Sequence, residues 1–139
     1  VPVTAPSNAT GSQPDVPAIT ELAHAAGAFV HVDGVHATPH QPLFSLVGDF
    51  SACSAYKWYG PHLGVTVADP ALLETLHPDK LAASTEDVPD RFELGTSPFA
   101  QYVALTATVD WLSSIRPGTT RADQHVAALP PLPDPAAGH

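Results

Sequence analysis

The 139-residue chain carries five Lys/Arg against fourteen Asp/Glu, a formal net charge of −9, and so acidic a surface repels phosphate backbones and argues against nucleic acid as a partner. Its single cysteine excludes an internal disulfide and suits a reducing, cytoplasmic compartment. Its apolar runs fall far short of the ~20 residues that span a bilayer, which argues for a soluble chain with no membrane partner. The length fits one domain with one hydrophobic core. A chain that opens at Val1 and contains no Met is expected to be a processed or partial sequence, and nothing near its start reads as a retained targeting segment.

Val1–Thr4 is short and β-prone, and it runs into the turn formers Pro6-Ser7-Asn8-Ala9-Thr10-Gly11. Asp15 stands where an N-cap belongs, with Pro17 in the first turn, and Ile19, Leu22, Ala23 and Ala26 recur at helical spacing before Gly27. Ala28–Val32 is a mostly apolar strand ending at Asp33-Gly34. Strand, helix, strand in this order predicts a βαβ unit with parallel strands. A short helical turn is predicted over Leu43–Val47, a strand over Phe50–Cys53, a loop with one lysine and three aromatics over Ser54–Pro61, and a strand over Leu63–Val67. Asp69-Pro70 starts a short helix through Leu76, Ala82–Pro89 reads as a polar loop, and Phe99–Ile115 reads as a longer helix. Beyond Ile115 the pattern dissolves: residues 116–139 form a Pro/Ala-rich tail whose composition cannot build a packed core.

The predicted class is α/β with a mostly parallel sheet. In such sheets ligands bind where strands hand over to loops at their carboxyl ends. Asn8, Asp33 and Lys57 each follow a predicted strand, so the fold alone puts them on one rim.

Each of the three has a chemical reading and a plainer one. A lysine amine, partly deprotonated in a low-polarity setting, forms a Schiff base with a bound aldehyde, and Lys57 is flanked by Tyr56, Trp58 and Tyr59; otherwise it is a solvated loop lysine. A carboxylate such as Asp33 keeps a bound pyridine nitrogen protonated, or it caps its own loop through an Asx turn with Gly34. Asn8 serves a ring oxygen, or it stabilises its turn. A rival metal reading comes from His31, Asp33, His36 and His40, which crowd together as zinc or iron ligands do. No second cluster completes that set, and the spacing matches neither H-E-x-x-H nor C-x-x-C, so no metal is expected. Cys53 lies inside a predicted buried strand, where a thiol is inert packing.

Ser54-Ala55-Tyr56-Lys57-Trp58-Tyr59-Gly60-Pro61-His62-Leu63-Gly64 resembles the lysine loop of class V pyridoxal-phosphate (PLP) enzymes, the aminotransferases and cysteine desulfurases. Val32-Asp33-Gly34-Val35-His36-Ala37, Ser7-Asn8-Ala9-Thr10-Gly11 and Arg91-Phe92-Glu93-Leu94-Gly95-Thr96 resemble three further segments of the same family, in the family's order. The resemblance implies a three-layer α/β/α sandwich, with residues 1–115 as part of the PLP-binding large domain of fold-type I. It implies that Lys57 holds PLP as a Schiff base and moves protons on an amino-acid substrate. Asp33 would pair with the pyridinium nitrogen, Asn8 would contact the ring hydroxyl, and His36 would sit near that oxygen and the Schiff base. Ser54 and Tyr56 would bind the phosphate, and Thr96 would reach the phosphate of a neighbouring subunit, making the parent enzyme a homodimer. His31 would point into the sheet packing and His40 would lie near the surface.

Departures from the family pattern set the limits. Members are much longer and carry an upstream phosphate-cradling loop, a residue that stacks on the pyridine ring, a downstream small domain, a carboxylate-binding arginine and, in desulfurases, a mobile cysteine. Between Pro42 and Asp49 this chain is also shorter than its relatives, and their usual Asp is absent there. The expectation is therefore a fragment of a PLP enzyme that has little activity alone; the alternative is an inactive remnant or binding module on the same scaffold.

Overall fold

A computed structural model describes residues 1–115; the tail expected over 116–139 lies outside the described residues. Four strands form one sheet in the order β1 (Pro2–Thr4), β2 (His31–Asp33), β3 (Phe50–Ser54), β4 (Gly64–Ala68). Three helices accompany them: α1 (Val16–Ala25), α2 (Pro70–Thr75) and α3 (Phe99–Ser114). The class is α/β, with a mixed, mostly parallel sheet. β1 and β2 are parallel, as are β2 and β3, whereas β4 returns antiparallel to β3. The last pairing follows from chain length: the connection over 55–63 is shorter than the dozen or so residues a parallel crossover needs.

Register aligns Thr4 with Asp33, and Asp33 with Ala52. The three parallel strands therefore end at one edge, with β3 running on to Ser54 opposite Gly64. Side chains alternate across a strand, and Val32 enters the core with Ala5, Val16, Ala23, Val30, Ala37 and Leu46.

The helix caps are local. Asp15 accepts the Ala18 N–H at 3.0 Å and Asp69 accepts the Ala71 N–H at 2.7 Å, each beside a proline in the first turn. Gly27 leaves α1 with a φ of +70°, the left-handed conformation that glycine tolerates. The buried stripe of α1 differs from the predicted one: Val16, Thr20 and Ala23 face the core while Leu22 is 73% exposed. Thr20 turns inward because its hydroxyl donates to the Val47 carbonyl at 2.9 Å, which satisfies a polar group that hydropathy alone places outside.

The opposite face of the sheet is aromatic. His31 stacks on Phe50 (centroids 6.2 Å apart, 19° between planes) and Phe29 meets the same ring edge-on at 6.3 Å. His31 is exposed there rather than drawn into the packing, because among the described residues α1 covers only the Val32 face. No residue of α3 is fully buried, and Phe99 and Val103 are 68% and 71% exposed.

Candidate active site

The rim begins at the turn after β1. Gly11 adopts a φ of +71° there, and its N–H donates to the Ser7 carbonyl at 2.9 Å. Ser7 Oγ accepts the N–H groups of Ala9 and Thr10 at 3.2 and 3.3 Å. Ser7 thus does the turn-stabilising work that the plainer reading assigned to Asn8, and the Asn8 side chain stands exposed.

β2 delivers Asp33, half-buried, at its last position. Its Oδ1 accepts the Val35 N–H at 3.0 Å, an Asx-type turn that fixes the carboxylate while Oδ2 remains for a second partner. The chain then folds into a turn in which the Ala37 and Thr38 N–H groups and the Thr38 hydroxyl all donate to the Gly34 carbonyl. His36 lies half-buried within it. Gly34 admits no side chain, since a Cβ would lie 2.3 Å from Leu46 Cδ1 and 3.0 Å from the Ala52 carbonyl.

β3 ends at Ser54 and passes into a 3-10 turn, Ala55–Trp58. Ala55 is fully buried, its N–H donates to the Leu63 carbonyl at 2.9 Å, and the Gly60 N–H donates to the Ala55 carbonyl at 2.8 Å. A Cβ at Gly60 would come within 2.8 Å of Ala55 Cβ, so this closure needs glycine. The loop is pinned at its base and presents Tyr56 and Lys57 outward.

Lys57 is exposed, unlike the low-polarity setting predicted from its neighbours. Only Trp58 turns inward; Tyr56 is 45% exposed and Tyr59, in the left-handed region with φ +72°, is 81% exposed. Lys57 Nζ lies 5.4 Å from the centre of the Tyr56 ring, which stacks on His62 at 4.9 Å. Tyr59 meets Trp111 of α3 edge-on at 5.8 Å. Beneath the loop, burial pushes the Cys53 thiol up in pKa, opposed by the Trp58 indole and the Thr38 hydroxyl beside it. The buried Trp58 Nε1 makes no hydrogen bond of normal geometry among the described residues.

Asn8, Asp33, His36, Ser54, Tyr56 and Lys57 thus all lie at or within a few residues of the aligned ends of β1, β2 and β3. Thr96 stands apart. It is exposed between a 3-10 turn at Asp90–Phe92 and α3, and among the described residues no hydrogen bond ties it to the rim. A cleft of about 490 Å3 lies at the other end of β3, lined in part by Leu46, Asp49, Ser51, Val67 and Leu72, and no rim residue borders it.

Sequence reasoning missed the residues that hold the frame. Arg91 is only 4% exposed, and its guanidinium donates to the Leu73 carbonyl at 2.7 Å, to Glu74 at 3.1 Å and to the Glu86 carbonyl at 3.3 Å. It therefore binds the C-terminal end of α2 to the segment leading to Thr96. The signal was its place at the head of the Arg-Phe-Glu-Leu-Gly-Thr motif, of which only the Gly-Thr had been given a role. Lys80 likewise turns inward, its ammonium on Glu86 at 2.7 Å and the Ser84 carbonyl at 2.9 Å.

The chain matches the aminotransferase class-V family over residues 1–129, past the point where α3 ends. It is 36% identical over 133 residues to a probable cysteine desulfurase of Streptomyces coelicolor, covering 86% of this chain and 32% of that protein. Among solved structures it resembles the cysteine desulfurase CsdA of Escherichia coli, with a TM-score of 0.72 and 31% identity over 88% of this chain and 33% of that one. The apo cysteine desulfurase of Thermococcus onnurineus gives a TM-score of 0.65 at 27% identity, over 79% of this chain and 31% of that one. The chain spans about a third of the length of the relatives it matches.

Proposed function

The chain belongs to the aminotransferase class-V family, and from that premise we propose that it contributes the lysine side of a PLP site acting on an amino acid, as a cysteine desulfurase or related enzyme does. What supports this reading is the common rim: the parallel ends of β1, β2 and β3 are followed by Asn8, Asp33 and Lys57.

The residues fit the cofactor by chemistry. When bound, PLP supplies an electron sink for the charge left at the amino-acid α-carbon. Lys57 provides the amine that attaches the cofactor and then carries protons at Nζ. Asp33, whose Oδ1 is held by the Val35 N–H, would offer its other carboxylate oxygen to a ring nitrogen. Asn8 and His36 provide donors for a ring oxygen, and Ser54 and Tyr56 provide hydroxyls for a phosphate. Thr96 serves the site of a second subunit in a homodimer, which accords with its separation from this rim. A reducing cytoplasm suits the lone Cys53 thiol.

Turnover by this chain alone is proposed to be low, because its Lys57 stands open to water, where proton transfers are not protected. The same exposure is the observation that favours the second reading, a non-catalytic PLP-binding module.

The deciding experiment incubates the chain with PLP, fixes adducts with borohydride and locates them by mass spectrometry. The expected result is attachment at Lys57 well above Lys80, abolished by Lys57→Ala. Equal labelling of the two lysines would overturn the assignment. Formation of alanine from cysteine by the chain alone, with its sulfur transferred to an added thiol reductant that releases it as sulfide, would overturn the low-turnover claim.

A further inference from the structure

The Lys57 ammonium rests above the Tyr56 ring at 5.4 Å, within the distance at which a cation is drawn to an aromatic face. Adjacent residues on a loose loop would hold such a contact only fleetingly. Here the ring has a second neighbour: His62, six positions on, stacks against Tyr56 with centroids 4.9 Å apart and planes 19° apart. The two ends of the loop are themselves closed by the Ala55–Leu63 and Gly60–Ala55 hydrogen bonds. Ring, imidazole and backbone therefore form one small platform, and Lys57 lies on it.

We propose that Tyr56, backed by His62, is a perch for the free Lys57 side chain, and that Tyr56 acts as a positioning residue through its ring as well as through its hydroxyl. The attraction is to the ammonium and not to the neutral amine, because the ring face is the negative part of its quadrupole. The perch therefore keeps the unattached lysine folded onto its own loop. An incoming aldehyde must draw the amine off the ring before it can react. That His62 shares the ring is part of the device: its removal leaves Tyr56 free to rotate away. The role rests on the family reading only for its biological purpose; the contact itself concerns the free lysine.

Acetic anhydride tests the contact without any cofactor, since it acylates the neutral amine alone. Lys57 and Lys80 are the two lysines of the chain, and Lys80, held by Glu86 and the Ser84 carbonyl, serves as internal reference. The expected result, at fixed pH, is that Tyr56→Leu raises the acetylation rate of Lys57 relative to Lys80 about two- to five-fold, the scale of an exposed cation–ring contact. Tyr56→Phe keeps the ring and is expected to leave the ratio as in the parent chain, with His62→Ala in between. A Tyr56→Leu ratio equal to that of the parent chain would overturn the perch, and so would a rise in Tyr56→Phe equal to that in Tyr56→Leu, since the hydroxyl would then be responsible. The PLP labelling above reads the other question. If the acetylation ratio shifts while PLP fails to attach to Lys57, the perch stands and the cofactor reading falls.

Discussion

Asp33 Oδ1 accepts the Val35 N–H at 3.0 Å, so the carboxylate proposed to face the cofactor is oriented by the backbone two residues on. The turn and the charge are carried by the same side chain, yet they are separable. Asp33→Asn keeps an oxygen for Val35 and removes the negative charge. Its stability is expected to stay within about 0.5 kcal/mol of the parent chain, while PLP attachment at Lys57 weakens about 10- to 100-fold, the scale of one hydrogen bond to a charged group. Urea melts and adduct titration check the two halves.

Gly34 is a packing requirement beside that turn. Gly34→Ala would drive a methyl into Leu46 Cδ1 and against the Ala52 carbonyl. The expected cost is about 1–3 kcal/mol, the range for overpacking a filled core, with a drop in PLP attachment because Asp33 shifts with its neighbour. A shift in the urea midpoint at an unchanged slope would register it.

Removing Arg91 leaves the Glu86 carbonyl without its donor and the Leu73 carbonyl with the Leu76 N–H alone. Arg91→Ala is expected to destabilise the chain by about 2–3 kcal/mol; Glu74 is largely exposed and contributes little of this. Arg91→Lys is expected to recover only part, since one ammonium cannot span the separated acceptors that a guanidinium fork reaches. Amide exchange in the 70–76 and 86–96 stretches would localise the loss.

Asp49 predicts the acid behaviour. Burial alone would raise its pKa, but hydrogen bonds from His24 and from the Val30 N–H, with the imidazole charge, outweigh burial and lower it from its ordinary value of 3.8. A carboxyl whose folded pKa is depressed stabilises the fold above its unfolded pKa, and the contribution is lost as pH falls through the folded value. Urea midpoints are therefore expected to hold through neutral pH and fall below about pH 4. Asp49→Asn should show a lower plateau and a shallower acid decline.

The sequence carried most of the local structure. Asp15 and Asp69 were readable as caps because a cap is made by residues a few positions apart. The strand starts and ends shifted by a few residues, as with Ala28–Val32 against β2 at His31–Asp33, because pairing partners and not hydropathy set where a ladder stops. The inward face of α1 was misjudged because Thr20 finds its partner, the Val47 carbonyl, far along the chain.

By itself, then, the sequence determined the α/β class, the order of elements, the caps and the rim positions of Asn8, Asp33 and Lys57, since strand order and short-range hydrogen bonding are local properties of the chain. Only the tertiary structure decided that Arg91 is a buried clamp, that Asp49 joins α1 to β3, and that Lys57 lies exposed on Tyr56 rather than among low-polarity neighbours. Each of these depends on groups brought together from distant positions or on how much surface is left uncovered. Burial belongs to the packed whole, and two of the three aromatic neighbours that suggested shelter for Lys57, Tyr56 and Tyr59, turned their rings to water instead.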